Sequence, residues 1–253
     1  MRLDILLVQR GLFESREKAK YAIENQTISV HQKVITKASF DVAEDAVIEL
    51  ISIALPYVSI GGLKLVKAIQ DFKLDFRQKR VLDIGASTGG FTDCALQFGA
   101  HQVFAVDVGS AQLHPSLQGK IEVVSIENQN LKTLTLSQLE DKKVDIALID
   151  VSFTSQIPLF PYISNFLKKE GVLVSLIKPQ FELEQHRRFR GGIIKDDKIH
   201  QQIIRRVTDA ALEYHLVLQQ ITEAPARDGK NKEFLAWFIL TNCNYLGSTS
   251  FSS

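Results

Sequence analysis

From Arg80 onward, short β-branched and aliphatic runs alternate with stretches of helical or loop character, and this alternation leaves the chain few folds to choose from. VLDIGA (81–86), HQVFAVDV (101–108), IEVVSI (121–126), VDIALID (144–150) and GVLVSLIK (171–178) have the length and composition of buried strands. Between them FTDCALQFG, LKTLTLSQLE and IPLFPYISNFLKKEG read as helices or loops. Parallel strands need crossovers of about this length, so the pattern predicts a mostly parallel, doubly wound α/β sheet. A polar stretch from Glu182 to Lys198 follows, then a helix in HQQIIRRVTDAALEYH. The runs LVLQQIT and EFLAWFIL bring the strands to seven; EAPARDGKN, with Pro225 and Gly229, suits a loop closing them as an antiparallel pair.

The first fifty residues follow another pattern. Leu3, Leu6, Leu7, Leu12 and Phe13 form a short amphipathic series, broken at Gly11. Ser15 stands where an N-cap would precede REKAKYAIEN, which carries Ala19 and Ile23 on one face. TISVHQKVIT and DAVIEL read as small strands. The expected organisation is a small α+β domain over 1–54, a linker over 55–62, the α/β domain over 63–242 and a polar tail over 243–253. The join from Ile51 to Ser59 holds Pro56 and is not rich in Gly or Ser, so it is no long flexible tether. A chain of 253 residues has room for this arrangement.

Formal net charge is only +1, so bulk charge does not argue for a nucleic-acid partner. Local charge does. Acidic residues gather between Asp41 and Glu49, leaving Arg2, Arg10, Arg16, Lys18, Lys20, Lys33 and Lys37 in the earlier part. A solvated face would explain them; a surface for phosphates is the sharper reading. The two cysteines, Cys94 and Cys243, read as reduced thiols. The N-terminus lacks a signal-peptide pattern and no segment nears the roughly 20 apolar residues of a membrane span, so the expectation is a cytoplasmic protein without stable membrane insertion.

The chemistry concentrates after the first long strand, at Asp83-Ile84-Gly85-Ala86-Ser87-Thr88-Gly89-Gly90. Glycines there permit a sharp turn and close approach to a ligand. Asp107 ends the next strand, where a carboxylate accepts hydrogen bonds from ribose hydroxyls. A dinucleotide would need its pyrophosphate over a GxGxxG loop, a spacing that is absent. S-adenosylmethionine has no phosphate, and its cationic sulfonium suits nearby Asp83 and Asp150. Asp150 ends the fourth strand and Lys178 the fifth, with Pro179 stopping it, so both reach the carboxyl edge where open α/β sheets bind ligands. Lys64 lies in the helix-like SIGGLKL, and Glu233 opens the last strand.

With these motifs in order, the chain resembles the TlyA family, an S4-like RNA-binding domain joined to an FtsJ-like 2′-O-ribose methyltransferase. RLDILLVQRG and ESREKAK resemble its N-terminal domain; SIGGLKL, LDIGASTGGFTDC, AVDVG, LIDVSF, LIKPQFE, RGGIIKD and EFL resemble successive methyltransferase motifs. The resemblance implies a Rossmann-like class I methyltransferase fold and a Lys64-Asp150-Lys178-Glu233 catalytic tetrad. It implies S-adenosylmethionine contacts at Gly85, Ser87, Gly89, Asp107 and Asn130; the loop itself adds Asp83, Thr88 and Gly90, and the basic patch gives Arg2, Arg10, Arg16, Lys18 and Lys20 as expected RNA contacts. The implied substrate is a cytidine in ribosomal RNA or a ribosomal subunit. A start directly at the S4-like motif resembles the shorter subtype that acts on 23S rRNA, with 16S as the other target; an effect on cyclic peptide antibiotics is also implied. In one departure, Ile60 stands where the family usually has Arg in a Ser-Arg-Gly-Gly motif, so the RNA contact that the resemblance would imply there does not carry over to this position.

Elementary chemistry agrees with that assignment. A ribose hydroxyl must lose its proton during attack on a methyl group. A lysine with a reference pKa of about 10.4 is a poor base at neutral pH, but a second lysine and partial burial would lower that value. Lys178 is therefore expected to activate the hydroxyl, with Lys64 orienting it and Asp150 and Glu233 holding the amines. No His/Cys cluster calls for a metal. Two rivals of other classes are a haemolysin-like membrane-active protein, since some family members bear that name, and a non-catalytic RNA-binding ribosome assembly factor. Oligomeric state is not legible.

Overall fold

A computed structural model of the chain describes residues 1–13, 16–24, 27–50, 56–183, 193–225 and 230–241, with the backbone alone at Glu17, Lys18, Tyr21 and Glu24. Ser15, Cys243, the expected tail and parts of RGGIIKD and EAPARDGKN lie outside the described residues. The chain divides into two compact units, Met1–Pro56 and Tyr57–Ser253.

The first unit has two helices, α1 (Leu3–Gln9) and α2 (Arg16–Glu24), and a small antiparallel sheet. Its strands are β1 (Ile28–Val30), β2 (Lys33–Val34) and β3 (Ile48–Leu50), in the order β2-β1-β3. The apolar positions of the sequence meet in one core: Leu3, Leu6 and Leu7 pack with Ala19, Ile23 and Ile28. Backbone bonds from Leu3 to Phe40 and from Val42 to Met1 fasten the chain's first residues to the loop before β3.

The second unit begins with α3 (Gly61–Phe72), followed by β4 (Arg80–Ile84), α4 (Gly90–Gln97), β5 (Gln102–Val106) and β6 (Val123–Ile126). Next come two 3₁₀ turns (Leu131–Thr133 and Leu136–Leu139), β7 (Val144–Ile149), a third turn, α5 (Phe160–Phe166) and β8 (Leu167–Ile177). The short α6 (Pro179–Glu182), α7 (Asp197–Leu212), β9 (Leu216–Glu223) and β10 (Phe234–Leu240) complete it. The sheet order is β6-β5-β4-β7-β8-β10-β9. β4 to β8 run parallel, and β10 enters antiparallel between β8 and β9. This is the mostly parallel seven-stranded sheet that the sequence predicts.

Two details differ from that expectation. Strand β8 starts at Leu167, inside the stretch taken as helical or loop-like, because Leu167 pairs with Val144 before a register irregularity. The stretch expected as a linker is also divided. Residues 51–55 lie outside the described residues, Tyr57 to Ile60 belong to the second unit, and Gly61 and Gly62 already open α3. Val58 N donates to Asp93 at 2.9 Å, so this entry segment is pinned to α4.

Apolar layers cover both faces of the sheet. One unites Phe104, Ile149, Phe160, Ile163, Val207 and Phe238; the other joins α3 and α4 to Val81, Leu148, Val174 and Leu235. Among the described residues no helix is long and apolar enough to cross a membrane. Phe238 anchors β10, with no exposed surface and its ring 6.5 Å from that of Phe160. Phe238→Ala should cost about 3–5 kcal/mol, read as a lower midpoint in chemical denaturation.

Candidate active site

The carboxyl ends of β4, β5, β7 and β8 share one edge, and the sequence places a polar residue at or just beyond each. Ile84 pairs with Ile149, and Ile149 with Ser175, which aligns the ends of the three central strands. Phe234 pairs with Ile177, so one step further along the antiparallel register Glu233 lies across from Lys178. Pro179 opens α6 directly after Lys178, and with no N–H it cannot extend the ladder.

Lys178 is 8% exposed. Its Nζ lies 2.5 Å from Asp150 Oδ1 and donates to Ser152 Oγ at 2.8 Å. The Phe181 ring centroid lies 6.0 Å from the same nitrogen. Lys64, on the first turn of α3, donates from Nζ to Glu233 Oε2 at 2.5 Å, with both side chains about one-fifth exposed. The structure thus brings together the four residues expected as a tetrad, as two lysine–carboxylate pairs from four elements. Buried ammonium groups persist where a carboxylate offsets their desolvation, and each lysine has its own.

The loop after β4 departs in part from its expected role. Gly85 adopts φ 81°, and a Cβ there would stand 2.7 Å from the Asp150 carbonyl oxygen. That glycine lets two strand ends approach each other. Gly90 opens α4, and a Cβ on it would fall 2.1 Å from Ser59 Oγ, so it serves the packing of α4 on the segment before α3. Gly89, the residue before α4, is buried, while Ser87 and Thr88 are exposed. Ser87 N donates to Asp107 Oδ2 at 2.8 Å, and Gly109 N to Asp107 Oδ1 at 2.7 Å. Asp107 therefore braces the loop while its oxygens keep lone pairs for further donors. Asn130 is exposed beyond β6 and accepts from Lys132 N at 3.0 Å, capping a 3₁₀ turn.

Asp83 differs most from expectation. It has no exposed surface, so it cannot face a ligand directly. Oδ2 accepts from Thr92 Oγ1 at 2.7 Å, whereas Oδ1 is buried without a hydrogen-bond partner. Burial pushes its pKa up to about 7, and the negative charges of Asp150 and Asp107 add to the rise.

Sequence reasoning passed over Ser152, Phe153, Phe181 and Glu182, although all lie in LIDVSF and LIKPQFE. Phe153 adopts φ 63°, is 90% exposed, and has its ring 5.2 Å from that of Phe181. Glu182 is buried and accepts from Ser155 Oγ at 2.5 Å and Gln156 N at 2.9 Å, fixing the loop that follows Asp150. Among the described residues no cluster could hold a metal.

In the first unit the expected RNA-contacting residues differ. Arg10 donates to the carbonyls of Ala46, at 2.8 Å, and Glu44, so it ties α1 to the loop before β3. Arg2 and Arg16 both bond Asp4 and stay about half exposed. Lys20 is exposed, and the Lys18 side chain lies outside the described residues.

Comparison with known proteins matches residues 57–239 to the FtsJ-like methyltransferase family and residues 1–48 to the S4 domain. The chain is 37% identical to Hemolysin A of Brachyspira hyodysenteriae, covering 95% of this chain and 100% of that one. It is 32% identical to the 16S/23S rRNA (cytidine-2′-O)-methyltransferase TlyA of Mycobacterium tuberculosis, covering 93% and 88%. A solved structure from Streptococcus thermophilus is similar at 36% identity and TM-score 0.76, over 96% of this chain and 89% of that one.

The raised Asp83 value makes stability depend on pH. The unfolded chain releases this proton near 3.8 and the folded chain near about 7, so between them the folded state holds one the unfolded state lacks. That contribution falls as pH rises through the window, by roughly 1.4 kcal/mol per pH unit at most. Asp83→Asn keeps an oxygen for Thr92 and removes the ionisation. Denaturant titrations should find the variant gaining on the native protein as pH rises across the window; a constant difference would show that Asp83 does not titrate there.

Proposed function

We propose that this chain, which belongs to the TlyA family of FtsJ-like methyltransferases carrying an S4 domain, transfers a methyl group from S-adenosylmethionine to the ribose 2′-hydroxyl of a cytidine in ribosomal RNA. The observation that carries this reading is the convergence of Lys64, Asp150, Lys178 and Glu233 on one sheet edge beside the 83–90 loop. In it, residues 1–54 bind RNA and residues 63–242 perform the chemistry. The Mycobacterium tuberculosis relative is named for rRNA cytidines, which supports the substrate class. A relative from Campylobacter jejuni is named for 23S rRNA, which supports 23S as the target, and the modification would alter sensitivity to ribosome-binding cyclic peptide antibiotics. A ribosomal substrate puts the reaction in the cytoplasm.

S-adenosylmethionine, when bound, supplies an electrophilic methyl group on a cationic sulfur. The fit rests on Asp107, whose oxygens keep lone pairs for ribose hydroxyls, and on the braced loop. Asp107, Ser87, Thr88 and Gly85 would hold the cofactor; Asn130 would contribute from beyond β6. Asp83 acts through Thr92, whose hydroxyl it holds.

The acceptor hydroxyl must give up its proton as the new carbon–oxygen bond forms. Lys178 accepts that proton in its neutral amine form, having first released its own proton to solvent. Asp150 and Ser152 fix its nitrogen, which limits the arrangements the acceptor must sample. Lys64, held by Glu233, orients the hydroxyl oxygen. The exposed Phe153 ring offers a face on which an unstacked base can rest, a common device in single-stranded RNA recognition.

Lys178→Ala should abolish methyl transfer while cofactor and RNA affinities stay within a few-fold of the native protein, as expected of a group used mainly in the transition state. Lys178→Arg should also fail, because a guanidinium stays protonated. Single-turnover transfer at saturating RNA and cofactor reads both variants; native-rate transfer by the arginine variant would exclude proton abstraction by Lys178. Separately, Asp107→Ala should weaken S-adenosylmethionine binding by about 1–3 kcal/mol in calorimetry. Unchanged affinity would remove Asp107 from the cofactor site.

A further inference from the structure

In the first unit a single buried carboxylate joins two of the basic residues. The Asp4 side chain is 3% exposed, while those of Arg2 and Arg16 are 45% and 57% exposed. Arg2 donates to Asp4 through Nε at 2.9 Å and Nη2 at 3.0 Å, a two-pronged contact that fixes the guanidinium plane. Arg16 donates from Nη2 to Asp4 Oδ2 at 3.0 Å. The two arginines lie 14 positions apart in sequence (16 − 2) and on different sides of the α1–α2 connection, yet they meet at one carboxyl group. Backbone contacts hold the base of this arrangement: Leu3 N bonds Phe40 O, Asp4 N bonds Ala38 O, and Arg2 forms a bridge with Asp41.

A guanidinium has five N–H donors. Among the described residues Arg2 spends two on Asp4 and Arg16 spends one, and both side chains stay about half exposed. Two positive charges against one negative leave the cluster cationic. Hydrogen bonds from the two guanidinium groups hold the Asp4 carboxyl below its ordinary value despite burial, so it is ionised at neutral pH.

We infer that Asp4 is a positioning residue for RNA binding: it holds Arg2 and Arg16 side by side as a preformed clamp for a phosphodiester. The inference rests on the reading of residues 1–54 as the RNA-binding part. Long arginine side chains lose rotamer freedom when they grip a ligand, and a carboxylate that already orders them removes part of that cost. An acidic residue thereby strengthens attachment to a polyanion.

The sign of one substitution separates this from bulk electrostatics. Asp4→Asn makes the protein more positive by one charge, so charge alone would tighten RNA binding. Loss of the clamp weakens it instead. The test is filter binding of the full-length protein to purified 23S rRNA over a range of salt concentrations. The expected result for Asp4→Asn is an affinity lower by about five- to tenfold and a salt dependence shallower by about one phosphate contact. In a background carrying both Arg2→Ala and Arg16→Ala, adding Asp4→Asn should change nothing more, because Asp4 acts through those arginines. Equal or tighter binding by Asp4→Asn overturns the inference, and so does full additivity with the arginine variants. If the double arginine variant itself binds as tightly as the native protein, the failure lies in the RNA-binding reading of this unit. A measurement on the native protein covers the case in which Asp4→Asn does not fold. ¹⁵N relaxation of Arg2 Nε in the free protein should report an ordered guanidinium, whereas a freely moving one overturns the preformed clamp.

Discussion

The site depends on the register of strand β8. On one side it runs parallel to β7, which brings its end level with Asp150; on the other it runs antiparallel to β10. In an all-parallel sheet, the start of β10 would lie at the opposite edge from Lys178. Its reversed direction carries Glu233 to the edge where β4, β7 and β8 end. Helix α3 then presents Lys64 to Glu233, and the same register offers Asp150 to Lys178. Two ammonium groups at one edge would repel each other and lose hydration; a separate carboxylate for each makes the arrangement tenable.

Glycines and acidic groups adapt the backbone to that arrangement. Gly85 is required where the first loop crosses the Asp150 carbonyl, and Gly90 where α4 meets the segment around Ser59. The nearby carboxylates divide their roles by burial. Asp107, partly open, braces the loop through two backbone amides. Asp83, fully enclosed, is driven toward neutrality by desolvation and by the other two.

Much of the fold was legible because buried parallel strands read as continuous apolar runs, as VLDIGA and VDIALID do, and because Pro179 marks where β8 stops. Asp150 and Lys178 were visible as polar residues closing such runs. Their pairing was not, since which lysine meets which carboxylate depends on strand order and register. The start of β8 at Leu167 was hidden because Lys168, Lys169 and Glu170 suggest a solvated helix end, and only pairing with Val144 reveals the strand. Asp83 and Arg10 were misread for a related reason: residue type suggests charge and exposure, while Asp83 is enclosed and Arg10 is spent on backbone carbonyls. Phe153 escaped notice because nothing in a lone phenylalanine tells whether it will be buried or almost wholly exposed.

The central claim is that this edge methylates a ribose rather than a base. Its most direct test is to incubate the native protein with unmodified ribosomal RNA, or with ribosomal subunits, and isotopically labelled S-adenosylmethionine, then digest the RNA to nucleosides for mass spectrometry. The predicted result is label in 2′-O-methylcytidine, with the mass gain on the sugar fragment. Label on a base fragment, or none in either RNA or subunits, would contradict the account.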